Sequence, residues 1–388
     1  LIEFAEVKQP KKSSGMRVAD RIAHDRAASR KTTGNGHVRI LVFCPNWVGD
    51  LVMATPTLRA LRQTYPDAHI AGLMRPSVAE TLAGNPWLDE TILHHHRSAN
   101  PDERTLPVIG RLRQNPFGVG VLLTNSIRTA LLAFFGSVKR RIGYAHEGRS
   151  ILLNDVLTPP VGWRTAAQQP LVDYYLKLAS HFGATTDSRH LQLFTTEENE
   201  RRADRLWEKL GWTMNDRIVV LNPGAAYGAA KRWPSRYFAE LARKLVDEQK
   251  VKVLVLCGPR ERGFARFIAD ASLRPRLVHS MAEEEVSLGL AKAAVKRSNL
   301  LVTTDSGPRH FGAAFNVPVV SLFGPTHIGW TETYHDAEIK LQRKVPCGPC
   351  QQRECPLGHL RCMIDLSVDQ VHHAAVSHLN QRLLKKAG

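Results

Sequence analysis

From Val38 onward, apolar runs of strand length alternate with amphipathic stretches of helix length. The first series reads VRILVFC (38–44), LVMATPTLRALRQTY (51–65), HIAGLM (69–74), a short helix near 77–84, ETILHHH (90–96), FGVGVLLT (117–124) and SIRTALLAFFG (126–136). A polar helix at 196–210 leads into the second: DRIVVLNPG (216–224), SRYFAELARKLVDEQ (235–249), VKVLVLCG (251–258), a helix after Pro259, EEVSLGLAKAAVKR (284–297), NLLVTTDSG (299–307) and VPVVSLFG (317–324). Strand runs without a polar face, alternating with helices, predict parallel sheets covered on both sides. Two series predict two doubly wound α/β units in tandem, 38–190 and 191–366, and an amphipathic last helix within 367–388 that packs back across both. In such sheets ligands sit beyond the carboxyl ends of the strands. The loops that directly follow strands are therefore where chemistry is expected.

Composition narrows the class without choosing a function. With 388 residues, 43% hydrophobic and 23% charged, the chain is a folded protein of more than one domain. Lys and Arg number 53 against 36 Asp and Glu, a formal +17 that calls for an acidic partner: nucleic acid, an anionic membrane face or a phosphorylated small molecule. Residues 1–37 carry eight basic and four acidic side chains with little apolar periodicity, and are read as a flexible basic extension. No apolar run approaches the ~18 residues of a membrane span. Residues 1–37 also lack the apolar stretch of a secretion signal, so a cytoplasmic protein is expected.

Three loops carry candidate chemistry. CPNWVGDLVMATPTLRALR (44–62) sets Gly49 and Asp50 where the first strand gives way to a helix. Asp50 reads either as a helix N-cap or as a carboxylate at the mouth of the sheet, free to act as general base. NPGAAYGAAKRWP (222–234) offers a glycine-bearing turn followed by Lys231, a cradle for a diphosphate that has neither the P-loop nor the dinucleotide spacing. In TTDSGPRHFGAAFNVPVVSLFGPT (303–326), Asp305, Ser306 and Gly307 end a buried strand, and the following helix presents its N-terminal amides and His310 to the same mouth.

Together with CGPCQQRECPLGHLRCM (347–363), these motifs resemble, in order and over about 38–370, the lipopolysaccharide heptosyltransferases of glycosyltransferase family nine. The resemblance implies a GT-B fold, two Rossmann-like domains facing across a cleft, the first for acceptor and the second for donor. It implies an inverting transfer of L-glycero-D-manno-heptose from ADP-heptose to the inner heptose of the lipopolysaccharide core, forming an α-1,3 linkage, with no cofactor. Asp50 is then the base and Lys231 the cation on the leaving diphosphate. Asn222, Gly224, Lys231, Asp305, Ser306, Gly307, His310, Gly324 and Thr326 fall on the donor side, with Asp305 on heptose hydroxyls. On the acceptor side, for heptosyl-Kdo2-lipid A, fall Asn46, Asn125, Ser126, Arg128 and Arg149. Peripheral contact with the cytoplasmic face of the inner membrane follows from such an acceptor.

Cys347-x2-Cys350-x4-Cys355-x6-Cys362, with His359 between, has the density of a structural metal site but not the spacing of a standard finger. A bound metal, a disulfide and reduced thiols packing a loop all remain open. His94, His95 and His96 alternate along a strand and are not expected to converge on a metal. The rival readings are a nucleic-acid-binding protein, a transferase of the same architecture with another sugar or acceptor, and a noncatalytic nucleotide-sugar binder. Basic residues interleaved with aromatic ones, which the first requires, are not seen, so no nucleic-acid partner is expected.

Overall fold

The apolar runs form the inner strands of two parallel sheets, since a strand covered by helices on both faces has no polar side to keep. The computed structural model describes residues 38–160, 169–186 and 188–387; the basic extension at 1–37 lies outside the described residues. The first sheet comprises β1 (Arg39–Phe43), β2 (His69–Met74), β3 (Glu90–Leu93), β4 (Val119–Leu122), β5 (Arg140–Tyr144) and β6 (Asp155–Leu157), in the order β3-β2-β1-β4-β5-β6. The second comprises β7 (Ile218–Asn222), β8 (Lys252–Val255), β9 (Val278–Ser280), β10 (Leu300–Thr304), β11 (Val319–Phe323) and β12 (Glu338–Gln342), in the order β12-β11-β10-β7-β8-β9. Counted from its own first strand, each sheet runs 3-2-1-4-5-6. The chain direction of winding reverses between β1 and β4 and again between β7 and β10, and these reversals are where crevices open.

The helices of the first half are α1 (Val48–Met53), α2 (Thr55–Thr64), α3 (Pro76–Ala79), α4 (Thr105–Gln114), α5 (Ile127–Phe135) and α6 (Leu171–His181). Those of the second are α7 (Glu197–Lys209), α8 (Ser235–Gln249), α9 (Arg262–Ala271), α10 (Leu288–Lys296), α11 (Gly307–Ala314), α12 (Arg361–Ile364) and α13 (Val368–Ala387). A reciprocal capping box between Thr196 and Asn199 fixes the start of α7. The expectation for α13 is corrected in detail. Its main packing is on α8 and on β10 and β11 of the second sheet, tied by Lys244 to Asp369 and by Trp233 Nε1 donating to the Leu366 carbonyl at 2.9 Å. The strand expected to carry the three histidines stops at Leu93. Among the described residues no helix is long and apolar enough to cross a membrane.

The two halves share one buried apolar cluster that includes Leu51 and Val52 of α1 and Phe311 of α11. Lys292 of α10 fastens a second seam. Its side chain is fully buried, and its ammonium donates to the carbonyls of Thr81 (3.1 Å), Ala83 (3.2 Å) and Phe194 (2.8 Å), two of them in the first half. Burial lowers its pKa to about 8, against a smaller upward pull from Glu80.

Candidate active site

The loops after β1, β7 and β10 converge on one cleft. Helices α1 and α11 meet there, and two glycines let them approach: a Cβ at Gly49 would stand 2.9 Å from His310 Cε1, and one at Gly307 would stand 2.9 Å from Val48 Cγ1. Asp50 is half-buried in the first turn of α1, with Trp47 as the N-cap. The N-cap reading of Asp50 is thereby corrected. Burial raises its pKa to about 6, while Lys231 pulls it down and Asp305 pushes it up, so the carboxylate of the first domain stands within electrostatic reach of that pair in the second. Tyr175 of α6 closes the same corner; its phenol is raised by burial first and by Asp50 next.

Lys231 ends a 3-10 turn, Ala229–Lys231, held against the core by the buried Trp233 two residues on. Its Nζ donates to Asp305 Oδ2 at 2.5 Å and to the Asp305 carbonyl at 3.0 Å, and lies 4.7 Å from the centre of the Tyr227 ring. Asp305 is 3% exposed and both of its carboxylate oxygens have partners. Thr326 Oγ1 donates to Oδ2 at 2.7 Å, Thr331 Oγ1 to Oδ1 at 3.3 Å, and Arg309 Nη1 lies 3.7 Å from Oδ1. Burial opposes ionisation here, but Lys231, Arg309 and these hydrogen bonds outweigh it and hold the pKa near about 2. Arg309 in turn makes a paired contact with Glu338 on β12, Nε to Oε1 at 2.6 Å and Nη2 to Oε2 at 3.0 Å. Lys231, Asp305, Arg309 and Glu338 thus form a buried chain of alternating charge.

The expected donor-side residues separate into two groups. Lys231, Ser306, Gly307 and His310 line the cleft. The N-cap Ser306 makes no side-chain cap; because Pro308 has no amide hydrogen and the Arg309 amide donates to the Ser306 carbonyl at 3.1 Å, the first turn of α11 leaves the Gly307 amide for an anion. His310 is 3% exposed with neither ring nitrogen hydrogen-bonded, and burial, then Arg309, lowers its pKa to about 4. The second group supports the first. Asn222 joins β7 to β10 by donating from Nδ2 to Thr303 Oγ1 (2.9 Å) and Ser306 Oγ (2.8 Å). Asp305 holds Lys231 and Thr326 holds Asp305, both at Oδ2, while the more lightly engaged Oδ1 is 3.3 Å from Thr331 Oγ1. Gly224 and Gly324 allow close packing: a Cβ would meet Glu261 Oε2 at the former and Met363 Sδ at the latter, each at 2.5 Å.

On the opposite wall, Asn46, Asn125 and Ser126 are half-buried and Arg128 is exposed. Arg149 is not a surface contact. It is fully buried, with Nε donating to the Tyr144 carbonyl at 3.0 Å, Nη1 to the Thr124 carbonyl and Nη2 to Asn125 Oδ1 at 3.1 Å. Burial depresses its pKa to about 10. It orients Asn125, which also exchanges hydrogen bonds with Tyr174 Oη. Ser126 caps α5 by accepting from Thr129 N.

Sequence reasoning missed Arg309, Glu338 and Glu261. Glu261 accepts from the amides of Ala225 and Gly258, organising the ends of β7 and β8; its place just after a strand was an available signal. Glu338 offered none, being one acidic residue on a polar edge strand. The six cysteines are free thiols, and among the described residues no three His, Cys, Asp or Glu side chains converge as metal ligands. The cysteine segment nevertheless packs on the Lys231 loop, with Ala230 N donating to the Arg353 carbonyl at 2.9 Å and Tyr227 Oη to the Gln351 carbonyl at 2.6 Å.

Residues 106–361 match the model of Glycosyltransferase family 9 (heptosyltransferase). Lipopolysaccharide heptosyltransferase 2 of Escherichia coli is 27% identical over 358 residues, covering 90% of this chain and 99% of that one. Lipooligosaccharide heptosyltransferase 2 of Haemophilus ducreyi is 29% identical over 366 residues, covering 89% and 99%. Among solved structures, the E. coli ADP-heptose LPS heptosyltransferase II superposes with a TM-score of 0.74 at 25% identity, covering 89% of this chain and 99% of that one. A family 9 glycosyl transferase from Veillonella parvula gives 0.77 at 24%, covering 89% and 98%, a likeness of fold.

Proposed function

Because the chain belongs to glycosyltransferase family 9, we propose that it transfers L-glycero-D-manno-heptose from ADP-heptose to the inner heptose of the lipopolysaccharide core, with inversion and in α-1,3 linkage. One observation carries the assignment of roles: the half-buried Asp50 of the first domain shares a cleft with the Lys231–Asp305 pair of the second. The acceptor, heptosyl-Kdo2-lipid A, is read as bound by the first domain and ADP-heptose by the second.

In the proposed step an acceptor hydroxyl oxygen bonds to the anomeric carbon as the bond from that carbon to the phosphate oxygen breaks on the opposite face. The hydroxyl proton passes to Asp50, since an alcohol is a poor nucleophile near neutral pH. Negative charge gathers on the departing ADP, where the Lys231 ammonium and the Gly307 amide at the start of α11 stabilise it in a partly water-free cleft. Asp305 positions Lys231. No step calls for a metal or other cofactor. With a lipid-linked acceptor, the reaction is placed at the cytoplasmic face of the inner membrane.

The test is to incubate purified protein with ADP-heptose and defined core acceptors and to weigh the products. One heptose added to the singly heptosylated acceptor is expected, and Asp50→Ala should lose at least ~100-fold in turnover while retaining ADP affinity. Absence of product with every acceptor, or near-normal turnover in the variant, overturns the assignment.

A further inference from the structure

Helix α5 is apolar on both faces, which a surface helix ordinarily is not. Ala130, Leu132 and Ala133 face the core. Along the outer side run Ile127, 41% exposed, then Leu131, then Phe134 and Phe135, each 46% exposed, at spacings of four, three and one residues. The two phenyl rings lie edge to face, 5.5 Å apart. Arg141 extends the patch: its guanidinium sits 5.4 Å from the Phe134 ring centre and donates from Nε to the Leu152 carbonyl at 2.7 Å, beside Ile151, which is 87% exposed. Arg113, exposed on α4, donates to the Phe135 carbonyl at 2.7 Å. Of the basic residues between Arg104 and Ile151, Arg104, Arg113, Arg128 and Lys139 are exposed, whereas Arg149 is buried and Arg111 and Arg140 are paired with Glu90 and Asp155.

We propose that the outer side of α5, with Ile151, is the surface by which the protein docks on an anionic lipid bilayer. Exposed Ile and Phe side chains flanked by cations match the acyl and headgroup layers together. A second copy of the chain is a poorer occupant, because a two-fold contact sets the same patch against itself and opposes like charges. Nucleic acid leaves Ile127 and Ile151 with nothing to contact. The position of the helix also serves the chemistry: α5 starts at Ser126, directly after Asn125 at the end of β4, so a docked patch holds the acceptor wall at the membrane. The choice of a bilayer rests on the reading of a lipid-linked acceptor given above.

The experiment uses the full chain and two readouts. Co-sedimentation with phosphatidylcholine vesicles containing ~30% phosphatidylglycerol is expected to capture the wild type, pure phosphatidylcholine vesicles far less, and added salt to release it. Phe134→Ser with Phe135→Ser, and separately Ile151→Ser with Lys139→Glu, should each lower the vesicle partition coefficient by about tenfold or more. Ile151 is so exposed that its replacement leaves the core untouched, which keeps the second variant informative if the first misfolds. The second readout is heptose transfer to a delipidated, soluble acceptor, which the same variants should leave unchanged. Equal vesicle binding by wild type and variants, no binding by the wild type, or concentration-dependent dimerisation abolished by the same substitutions overturns the docking surface. Absence of transfer to the soluble acceptor alongside normal vesicle binding overturns the functional reading and leaves the surface standing.

Discussion

Asp50 shows how one residue gains a role from its surroundings. A carboxylate with its ordinary pKa is a weak base; one raised to about 6 is better matched to taking a proton near neutral pH. In kcat/KM for the donor, which reports the free enzyme, activity should fall as pH drops through about 6, where Asp50 takes up a proton. Lys231→Gln removes the cation that pulls this pKa down, so the acid limb should move to higher pH. A wild-type limb lying at the usual carboxylate pKa, or one that Lys231→Gln leaves in place, argues against this coupling. Asp50, Lys231, Ser306, Gly307 and His310 were legible in the sequence because each directly follows or shortly succeeds a buried strand. The sharing of labour among them was not. That Asp305 is paired with Lys231, Thr326 and Arg309, and that Arg149 is buried, depends on partners from distant segments that no local spacing announces.

Among elements, legibility followed burial. The inner strands β1, β4, β7 and β10 are covered on both faces and read as unbroken apolar runs. The outer strands β5 (RRIGY), β6 (DVL), β9 (VHS) and β12 (EIKLQ) are short, charged or partly exposed, and their alternation was too brief to find. The crossing of α1 over α11 is a property of paired elements that the glycines only hint at. Gly307→Ala should cost about 1–3 kcal/mol by overpacking, as the new methyl meets Val48 Cγ1 at 2.9 Å. Gly263→Ala, in α9 with nothing within 4 Å of the added carbon, is the matched control and should be neutral or slightly stabilising. Equal melting temperatures for the two variants would mean that the helices separate freely.

At the scale of the molecule, the two sheets act together only if their seam holds, and Lys292 is its most specific fastening. Lys292→Met keeps the stem but strips the buried Thr81 carbonyl of its donor, at about 1–3 kcal/mol, and the half-buried Ala83 and Phe194 carbonyls of theirs at a smaller cost. The variant should therefore melt earlier and transfer heptose more slowly, with ADP affinity nearly unchanged because the proposed nucleotide site lies on the second domain. Small-angle scattering would register a larger radius of gyration. An unaltered radius and rate would show that the α1 and α11 contact suffices alone.

The alternating charges that run from Lys231 through Asp305 and Arg309 end on β12, a strand with a single neighbour in its sheet. The ammonium at the centre of the cleft is thus moored to the hem of the fold. Substitutions at that hem are expected to reach the Lys231 ammonium through Arg309 and Asp305, and so to act as a dial on the proposed nucleotide grip from outside the cleft.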